Sequence, residues 1–195
     1  LAGKVNGQWQ PFSTQEVKDT VDKLSAGLLA MGIGGHDMTV EHQDKVALIS
    51  KNRPEWLILD MACQQIGALL CPIYPTTNVN ELEFIFNDAT VKLAFVSGDD
   101  ILSKVESIKN KVPSLEKVYA FDELPGAIYW RTILDLPLKE HFEKLTAVRA
   151  TILAEHCATI IYTSGTTGFP KGVMLSHRNI VCNVLNSVKS FPFEE

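Results

Sequence analysis

The chain of 195 residues can bury a sizeable core, and its 46% hydrophobic and 21% charged content is typical of a globular domain. Its 18 basic and 23 acidic residues give a net charge of -5 with no concentrated basic stripe, which argues against nucleic acid as a partner. The most apolar stretch, residues 56–73, is broken by polar side chains and falls short of the roughly 20 apolar residues that a membrane helix needs.

Helices and short apolar runs alternate along most of the chain. Ser13 and Glu16 form a capping box ahead of apolar residues at helical spacing, so a first helix should begin there and end at the glycines of 32–35. Further helices are predicted to begin near Asn52, at Asn78 and at Asp99, the last reaching about residue 112. Strands are predicted at 45–50, 69–74, 92–97 and 117–121.

These strands are too apolar to face water on either side. The alternation therefore predicts an α/β fold, a mostly parallel sheet with helices on both faces. Residues 122–140 form a looser connection to a helix over 138–153, and a strand over 158–162 follows. A second strand over 172–175 leads into a helix that Ser176 can cap.

The four cysteines show no Cys-x-x-Cys spacing, and they lie in apolar surroundings. This pattern predicts buried, reduced thiols in a cytosolic protein, and it argues against a metal site or a disulfide framework. The cysteines are Cys63, Cys71, Cys157 and Cys182.

Two other kinds of residue invite functional interpretations that the sequence does not favour. His177 falls in the first turn of the last predicted helix, so we interpret it as a structural residue and not as a general base. The tryptophans are expected to pack hydrophobic surface, because none adjoins the glycine-rich segment described next. They are Trp9, Trp56 and Trp130.

Residues 163–172 read Thr-Ser-Gly-Thr-Thr-Gly-Phe-Pro-Lys-Gly, a run of small and hydroxyl-bearing residues that ends in a lysine. Glycines let backbone N–H groups approach a ligand, the hydroxyls add donors, and the lysine adds a compact positive charge. The run therefore predicts a phosphate-binding loop; the alternative is a flexible surface turn with a solvated lysine. The candidate phosphate-binding residues are Thr163, Ser164, Gly165, Thr166, Thr167, Gly168 and Lys171.

The loop does not follow the common phosphate-binding pattern of glycine, four residues, and Gly-Lys-Ser/Thr. Pro170 stands where that pattern needs a glycine, and Gly172 follows the lysine in place of a hydroxyl residue. A strand comes next, whereas the common pattern opens a helix whose N-terminus faces the phosphates. The loop is thus of a different kind.

The order of residues over 160–177 closely resembles the signature of the adenylate-forming superfamily, which includes acyl-CoA synthetases, luciferases and the adenylation domains of peptide synthetases. The segment 68–76, Ala-Leu-Leu-Cys-Pro-Ile-Tyr-Pro-Thr, is most similar to long-chain fatty acyl-CoA synthetases. The resemblance implies a long-chain fatty acid-CoA ligase that uses ATP, Mg²⁺ and coenzyme A. It also implies that Lys171 is catalytic and that the Thr163 hydroxyl contacts magnesium.

Members of this superfamily are several hundred residues longer than this chain. We therefore expect residues 1–195 to be the N-terminal part of the large AMP-binding domain, with the rest of that domain and the mobile C-terminal domain absent, and to be inactive alone. The expected partners are ATP and a carboxylic acid, and the expected location is cytoplasmic, with peripheral membrane contact left open. Two alternatives remain: another adenylate-forming enzyme, such as an aryl-CoA ligase, peptide-synthetase domain or luciferase-like protein, and a non-catalytic nucleotide-binding module.

Overall fold

The computed structural model describes residues 1–5, 8–163 and 168–190. Two strands, β1 (Ala2–Val5) and β2 (Gln8–Pro11), form an antiparallel pair. The strands of the main sheet are β3 (Lys45–Ile49), β4 (Leu69–Ile73), β5 (Val91–Val96), β6 (Lys117–Ala120), β7 (Ile128–Tyr129), β8 (Cys157–Thr163) and β9 (Lys171–Ser176). The helices are α1 (Thr14–Ala30), α2 (Pro54–Ile66), α3 (Val79–Asp88), α4 (Asp99–Ile108), α5 (Lys139–Arg149) and α6 (His177–Ser190).

The main sheet has seven strands in the order β7-β6-β5-β3-β4-β8-β9. Every neighbouring pair is parallel except β8 and β9, which form an antiparallel edge. The predicted α/β fold with a mostly parallel sheet is therefore confirmed. Among the described residues, no helix combines the length and apolarity needed to cross a bilayer.

Polar side chains fix where three of the helices begin. Ser13 Oγ accepts the Glu16 N–H at 3.2 Å while Glu16 Oε2 accepts the Ser13 N–H at 2.7 Å, which completes the predicted capping box. Asn78 Oδ1 accepts the N–H of Glu81 at 3.0 Å at the start of α3. Ser176 Oγ likewise accepts the first-turn N–H of Asn179 at 3.3 Å. These caps confirm the predicted helix starts.

The sheet separates two hydrophobic clusters, one on each face. Because side chains alternate along a strand, Ala47 and Ile49 of β3 point into the cluster under α3 and α4, and Val46 and Leu48 point into the cluster under α1, α2 and α5. All residues of β3 are buried. Burial on both faces explains why the strands are uniformly apolar and confirms that helices cover the sheet on both sides.

Several details differ from the sequence-based expectations. The β1–β2 pair and the two-residue strand β7 are additional, because such short segments carry too little periodicity to be recognised. Helix α5 ends at Arg149, four residues before the predicted end at 153. Beyond it, the Thr151 hydroxyl donates to Val148 O and the Leu153 N–H donates to the His156 ring, and these bonds replace those of a continuing helix. Trp130 is buried in a hydrophobic cluster and Trp56 packs against the same cluster, as expected, whereas Trp9 on β2 is 68% exposed.

Three consecutive polar residues, Gln43, Asp44 and Lys45, are buried at the amino edge of the sheet. Gln43 Nε2 donates to Gly67 O at 2.7 Å and to Cys157 O at 3.0 Å. Lys45 Nζ donates to the carbonyl of Val40 at 2.6 Å. These bonds satisfy carbonyls that would otherwise be buried without donors, and they tie β3, β4 and β8 together at one end.

The Asp44 carboxylate has three partners. It accepts the N–H of Gly34 at 3.0 Å, lies 2.7 Å from His36 Nε2 and is 2.6 Å from Lys92 Nζ. The side chain is only 5% exposed, so the carboxylate depends on these partners in place of water.

The cysteines do not all behave as the sequence predicts. Cys63, Cys71 and Cys157 are buried free thiols, and burial raises the pKa of each, that of Cys71 to about 12. Cys182 is a free thiol too, but it is exposed, so the expectation of a buried side chain is wrong there. The reason is that none of the described side chains of α6 is buried.

We expect Asp44→Ala to lower the free energy of unfolding by about 2–4 kcal/mol, because it leaves Lys92 and the Gly34 N–H without their shared acceptor. Denaturant unfolding followed by circular dichroism measures the change. Asp37→Ala is the matched control: Asp37 pairs with His42 at the surface, where such pairs contribute little. Equal losses in the two variants would contradict the role given to Asp44.

A thiol-specific reagent should modify Cys182 quickly in the folded protein and the three buried cysteines only after unfolding. The thiolate is the reactive form, and burial both shields the other three sulfurs and raises their pKa values. Mass spectrometry of labelled peptides measures this order. In Cys182→Ser, rapid labelling of any remaining cysteine in the folded state would contradict the burial described.

Candidate functional site

The candidate loop joins β8 to β9 at the carboxyl end of the parallel strands. β8 runs parallel to β4 through the pair Leu70 and Thr159, so its last residue, Thr163, lies at the edge where the other parallel strands also end. In open α/β sheets, ligands bind beyond this carboxyl edge. The fold thus presents the loop where the sequence predicts it.

The register of β8 and β9 brings two of the predicted phosphate-binding residues together. Thr163 lies directly opposite Lys171, and Tyr162 lies opposite Gly172. Directly opposed residues project from the same face of a strand pair with Cβ atoms about 5 Å apart. The side chains of Thr163 and Lys171 therefore begin side by side at the stem of the loop, and both residues are exposed.

In the neighbouring pair, Tyr162 faces the interior and Gly172 is exposed on the edge strand. Tyr162 is buried in the cluster under α3 and α4. A Cβ at Gly172 would lie 2.9 Å from Ile160 Cγ2 and 3.1 Å from Tyr162 Cζ, closer than side-chain contacts allow. A glycine at this position lets the ring lie against β9, which makes the stem of the loop compact.

Each arm of the loop also contacts helix α3. The Tyr162 hydroxyl donates to Asp88 Oδ2 at 2.6 Å, and burial together with this hydrogen bond raises the pKa of Tyr162, so the hydroxyl keeps its proton. On the returning arm, the Phe169 ring stacks on Phe84 with centroids 4.7 Å apart and planes at 23°. Gly168, just before it, has a φ of 118°, a value that favours glycine.

The described part of the loop contains only some of the predicted residues. Thr163, Gly168 and Lys171 are described, and two of them, Thr163 and Lys171, are brought together at the stem. The remaining candidates, Ser164, Gly165, Thr166 and Thr167, lie outside the described residues.

The described residues supply few ligands for magnesium. Residues 1–5, 8–163 and 168–190 contain no cluster of three or more acidic, cysteine or histidine side chains that could hold a metal. Magnesium commonly keeps several waters and binds through substrate phosphates with one or two protein oxygens. The Thr163 hydroxyl fits the role of a single protein oxygen for a metal that arrives with the nucleotide.

A second concave feature lies at the same edge of the sheet, above β3, β5 and β6. This cleft has a volume of about 770 Å³. It sits where the strand order reverses, because the chain passes from β3 to β4 on one side and returns to β5 on the other. The loop follows β8, two strands beyond β3, so the cleft and the loop stem are separate features of one edge.

Arg53 pairs with two acidic groups that line the same cleft. Arg53 donates to Asp122 Oδ1 and to Glu55 Oε2, at 2.9 and 2.8 Å, and Asp122 Oδ2 accepts the N–H of Gly98 at 2.9 Å. The Asp122 carboxylate therefore links the starts of α2 and α4. Asp122 is not among the residues predicted from the sequence. Its position immediately after a predicted strand nevertheless indicates that it lies at the carboxyl edge of the sheet.

His177 lies far from the loop. Ser176, at the end of β9, pairs with Cys157 at the start of β8, so the start of α6 is at the opposite edge of the sheet from Thr163. The His177 N–H donates to His156 O at 3.2 Å, and burial lowers the pKa of its side chain. This position agrees with a structural residue at a helix start.

The two residues of α3 that contact the loop arms, Phe84 and Asp88, could not be recognised from the sequence. Phe84 and Asp88 look like ordinary residues of an amphipathic helix, and Asp88 is 74 positions from its partner Tyr162. Their importance follows only from the tertiary contacts.

The sequence model for "AMP-binding enzyme" matches residues 3–195. The chain is 29% identical over 188 residues to Long-chain-fatty-acid--CoA ligase heimdall of Drosophila melanogaster, with 92% of this chain covered. It is 31% identical over 193 residues to Long chain acyl-CoA synthetase 3 of Arabidopsis thaliana, with 93% of this chain covered. The matched region spans only 27% of each of these relatives.

Solved structures show the same fold. A natural red-emitting luciferase from Phrixothrix hirtus superimposes with a TM-score of 0.74 at 21% identity, covering 92% of this chain and 33% of the luciferase. Because the identity is low, this similarity concerns the fold alone. The family match extends over nearly the whole chain. The chain belongs to the family of AMP-binding enzymes.

Proposed function

We propose that this chain carries the phosphate-binding part of an ATP-dependent long-chain fatty acid-CoA ligase. The observation that carries the proposal is the pairing of Thr163 with Lys171 at the carboxyl edge of the sheet, in a chain of the AMP-binding family. The names of the two relatives described above support a fatty acid as the substrate.

In the proposed first half-reaction, the carboxylate of the acid attacks the α-phosphorus of ATP, and pyrophosphate leaves. Negative charge builds up on the leaving group as this bond breaks. The Lys171 ammonium and the Thr163 hydroxyl, carried by directly opposed residues, would stabilise that charge. The Thr163 hydroxyl would offer an oxygen to magnesium that arrives with the nucleotide, and the bound metal would offset part of the same charge.

The hydroxyls and backbone amides of residues 164–167 complete the proposed phosphate site. In the second half-reaction the thiol of coenzyme A takes the acyl group from the adenylate. The stem residues Thr163 and Lys171 are assigned to the first half-reaction only, because it is the step in which pyrophosphate leaves.

The chain spans 27% of the length of these relatives, so activity is assigned to a protein of comparable length. Residues 1–195 are proposed to form the N-terminal part of its AMP-binding domain and to be inactive alone. The sites for the acyl chain, adenosine and coenzyme A are assigned to further segments of such a protein. A cytoplasmic location with peripheral membrane contact suits an enzyme of insoluble acids.

Lys171→Ala in the complete protein should slow adenylation, measured as acid-dependent ATP–pyrophosphate exchange, by roughly 100-fold, the usual effect of removing one preorganised group that stabilises charge. Thioester formation from supplied acyl-adenylate should stay within about twofold of wild type. Lys189→Ala, which removes an exposed lysine of α6, is the control and should change neither step. Equal losses in both half-reactions would instead indicate misfolding.

The acid is identified by the same exchange assay with a panel of fatty, aromatic and amino acids. We expect long-chain fatty acids to give the highest kcat/KM. Highest activity with aromatic or amino acids would reassign the protein to another branch of adenylate-forming enzymes. Nucleotide binding without exchange for any acid would favour a non-catalytic module.

A further inference from the structure

Helix α3 contacts both arms of the candidate loop through one of its faces. Phe84 and Asp88 are separated by one helical turn, so their side chains project from the same side of α3. Phe84 stacks against Phe169 on the returning arm, and Asp88 accepts the hydrogen bond from Tyr162 on the outgoing strand. Tyr162 immediately precedes Thr163, and Phe169 comes two residues before Lys171.

The helix that makes these contacts is itself firmly held. Leu82, Ile85 and Phe86 are buried in the hydrophobic cluster on this side of the sheet. The segment after α4 also ties it down: Lys111 Nζ lies 2.9 Å from Glu83 Oε2, and Lys111 O accepts a bond from Asn87 Nδ2 at 3.2 Å. Because α3 is held by the core and by this neighbour, contacts to it restrain the loop relative to the sheet.

The aromatic contact is not part of the hydrophobic core. Phe169 is 67% exposed, and Phe84 is only partly buried at the margin of the cluster. The geometry of the pair, with centroids 4.7 Å apart, lies in the range that aromatic pairs prefer. Because the Phe169 ring is largely exposed, its contact with Phe84 contributes more to the position of the returning arm than to the stability of the fold.

We propose that Phe84 and Asp88 are positioning residues for the phosphate-binding loop, which hold its two arms so that Thr163 and Lys171 are ready to receive the phosphates of ATP. The proposal rests on the proposed function of the loop. Its physical basis is preorganisation: a loop arm that is already fixed loses less conformational freedom when the nucleotide binds. Neither residue needs to touch ATP for this effect.

The test uses Phe84→Ala, Phe169→Ala and the double variant in the complete protein. Each single variant should raise KM for ATP in pyrophosphate exchange by about three- to tenfold, the range that one aromatic pair can supply. Thioester formation from supplied acyl-adenylate should be unchanged. The double variant should be no worse than either single variant, because both substitutions remove the same contact. Phe84→Tyr, which keeps an aromatic ring, should restore the wild-type value.

The second arm has its own matched set. Tyr162→Phe and Asp88→Ala each remove the hydrogen bond and should raise KM for ATP by a similar factor, whereas Asp88→Asn keeps an acceptor oxygen and should be milder. Phe142→Ala is the control for loss of an exposed aromatic ring, because Phe142 lies on α5, on the other side of the sheet. It should leave KM for ATP unchanged.

Amide hydrogen exchange of peptides covering 168–172, measured without nucleotide, separates this proposal from the proposed function. Phe84→Ala should accelerate exchange there by at least about threefold, a readout that needs no turnover. If Lys171→Ala leaves adenylation intact while Phe84→Ala accelerates exchange, the proposed function fails, and Phe84 is left only with restraint of the loop arm. If Lys171→Ala abolishes adenylation while Phe84→Ala changes neither KM for ATP nor exchange, the positioning role is overturned. Additive losses in the double variant, or equal loss in thioester formation, also overturn it.

Discussion

The position of the loop depends on how β8 is attached to the rest of the sheet. The Thr159 hydroxyl donates to Leu70 O at 2.7 Å, and the Gln43 amide donates to the Cys157 carbonyl at 3.0 Å. Both bonds are buried, so a shift of β8 by one residue would leave polar groups unpaired. It would also turn Tyr162 outward and Thr163 inward, because side chains alternate along a strand. These two polar contacts therefore help to fix which residues lie at the carboxyl edge of the sheet.

The two faces of the β8–β9 stem differ in their surroundings. Tyr162 packs inward beside Gly172, which leaves room for its ring, while Thr163 and Lys171 are exposed. A rigid inner face allows a lysine, which is otherwise a flexible side chain, to start from a fixed backbone position. Packing and the proposed phosphate contacts thus belong to alternate residues of the same two strands.

Much of this architecture can be predicted from the sequence because it is specified locally. Ser13 and Asn78 cap helices through bonds to residues three positions ahead, and uniformly apolar runs mark buried parallel strands. The loop is recognisable because its residues are consecutive. In contrast, Asp122 meets Arg53 across 69 positions, and no local pattern reveals such a pair.

The same reasoning explains the error over Cys182. It was expected to be buried because its neighbours in the sequence are apolar, but such neighbours do not say whether another element lies opposite. Helix α6, which carries Cys182, has no buried side chain among its described residues. Burial depends on the tertiary neighbours of an element, which composition and periodicity do not contain.

The attachment of β8 has a further consequence for synthesis. β4 and β8 are neighbours in the sheet, yet α3, β5, α4, β6, β7 and α5 all lie between them in the chain. During synthesis, the edge of β4 that pairs with β8 therefore remains unpaired until β8 has been translated. Unpaired strand edges can pair with the wrong chain. Pro72, within β4, has no N–H, so β4 offers one fewer backbone donor to a mistaken partner than a strand without proline would.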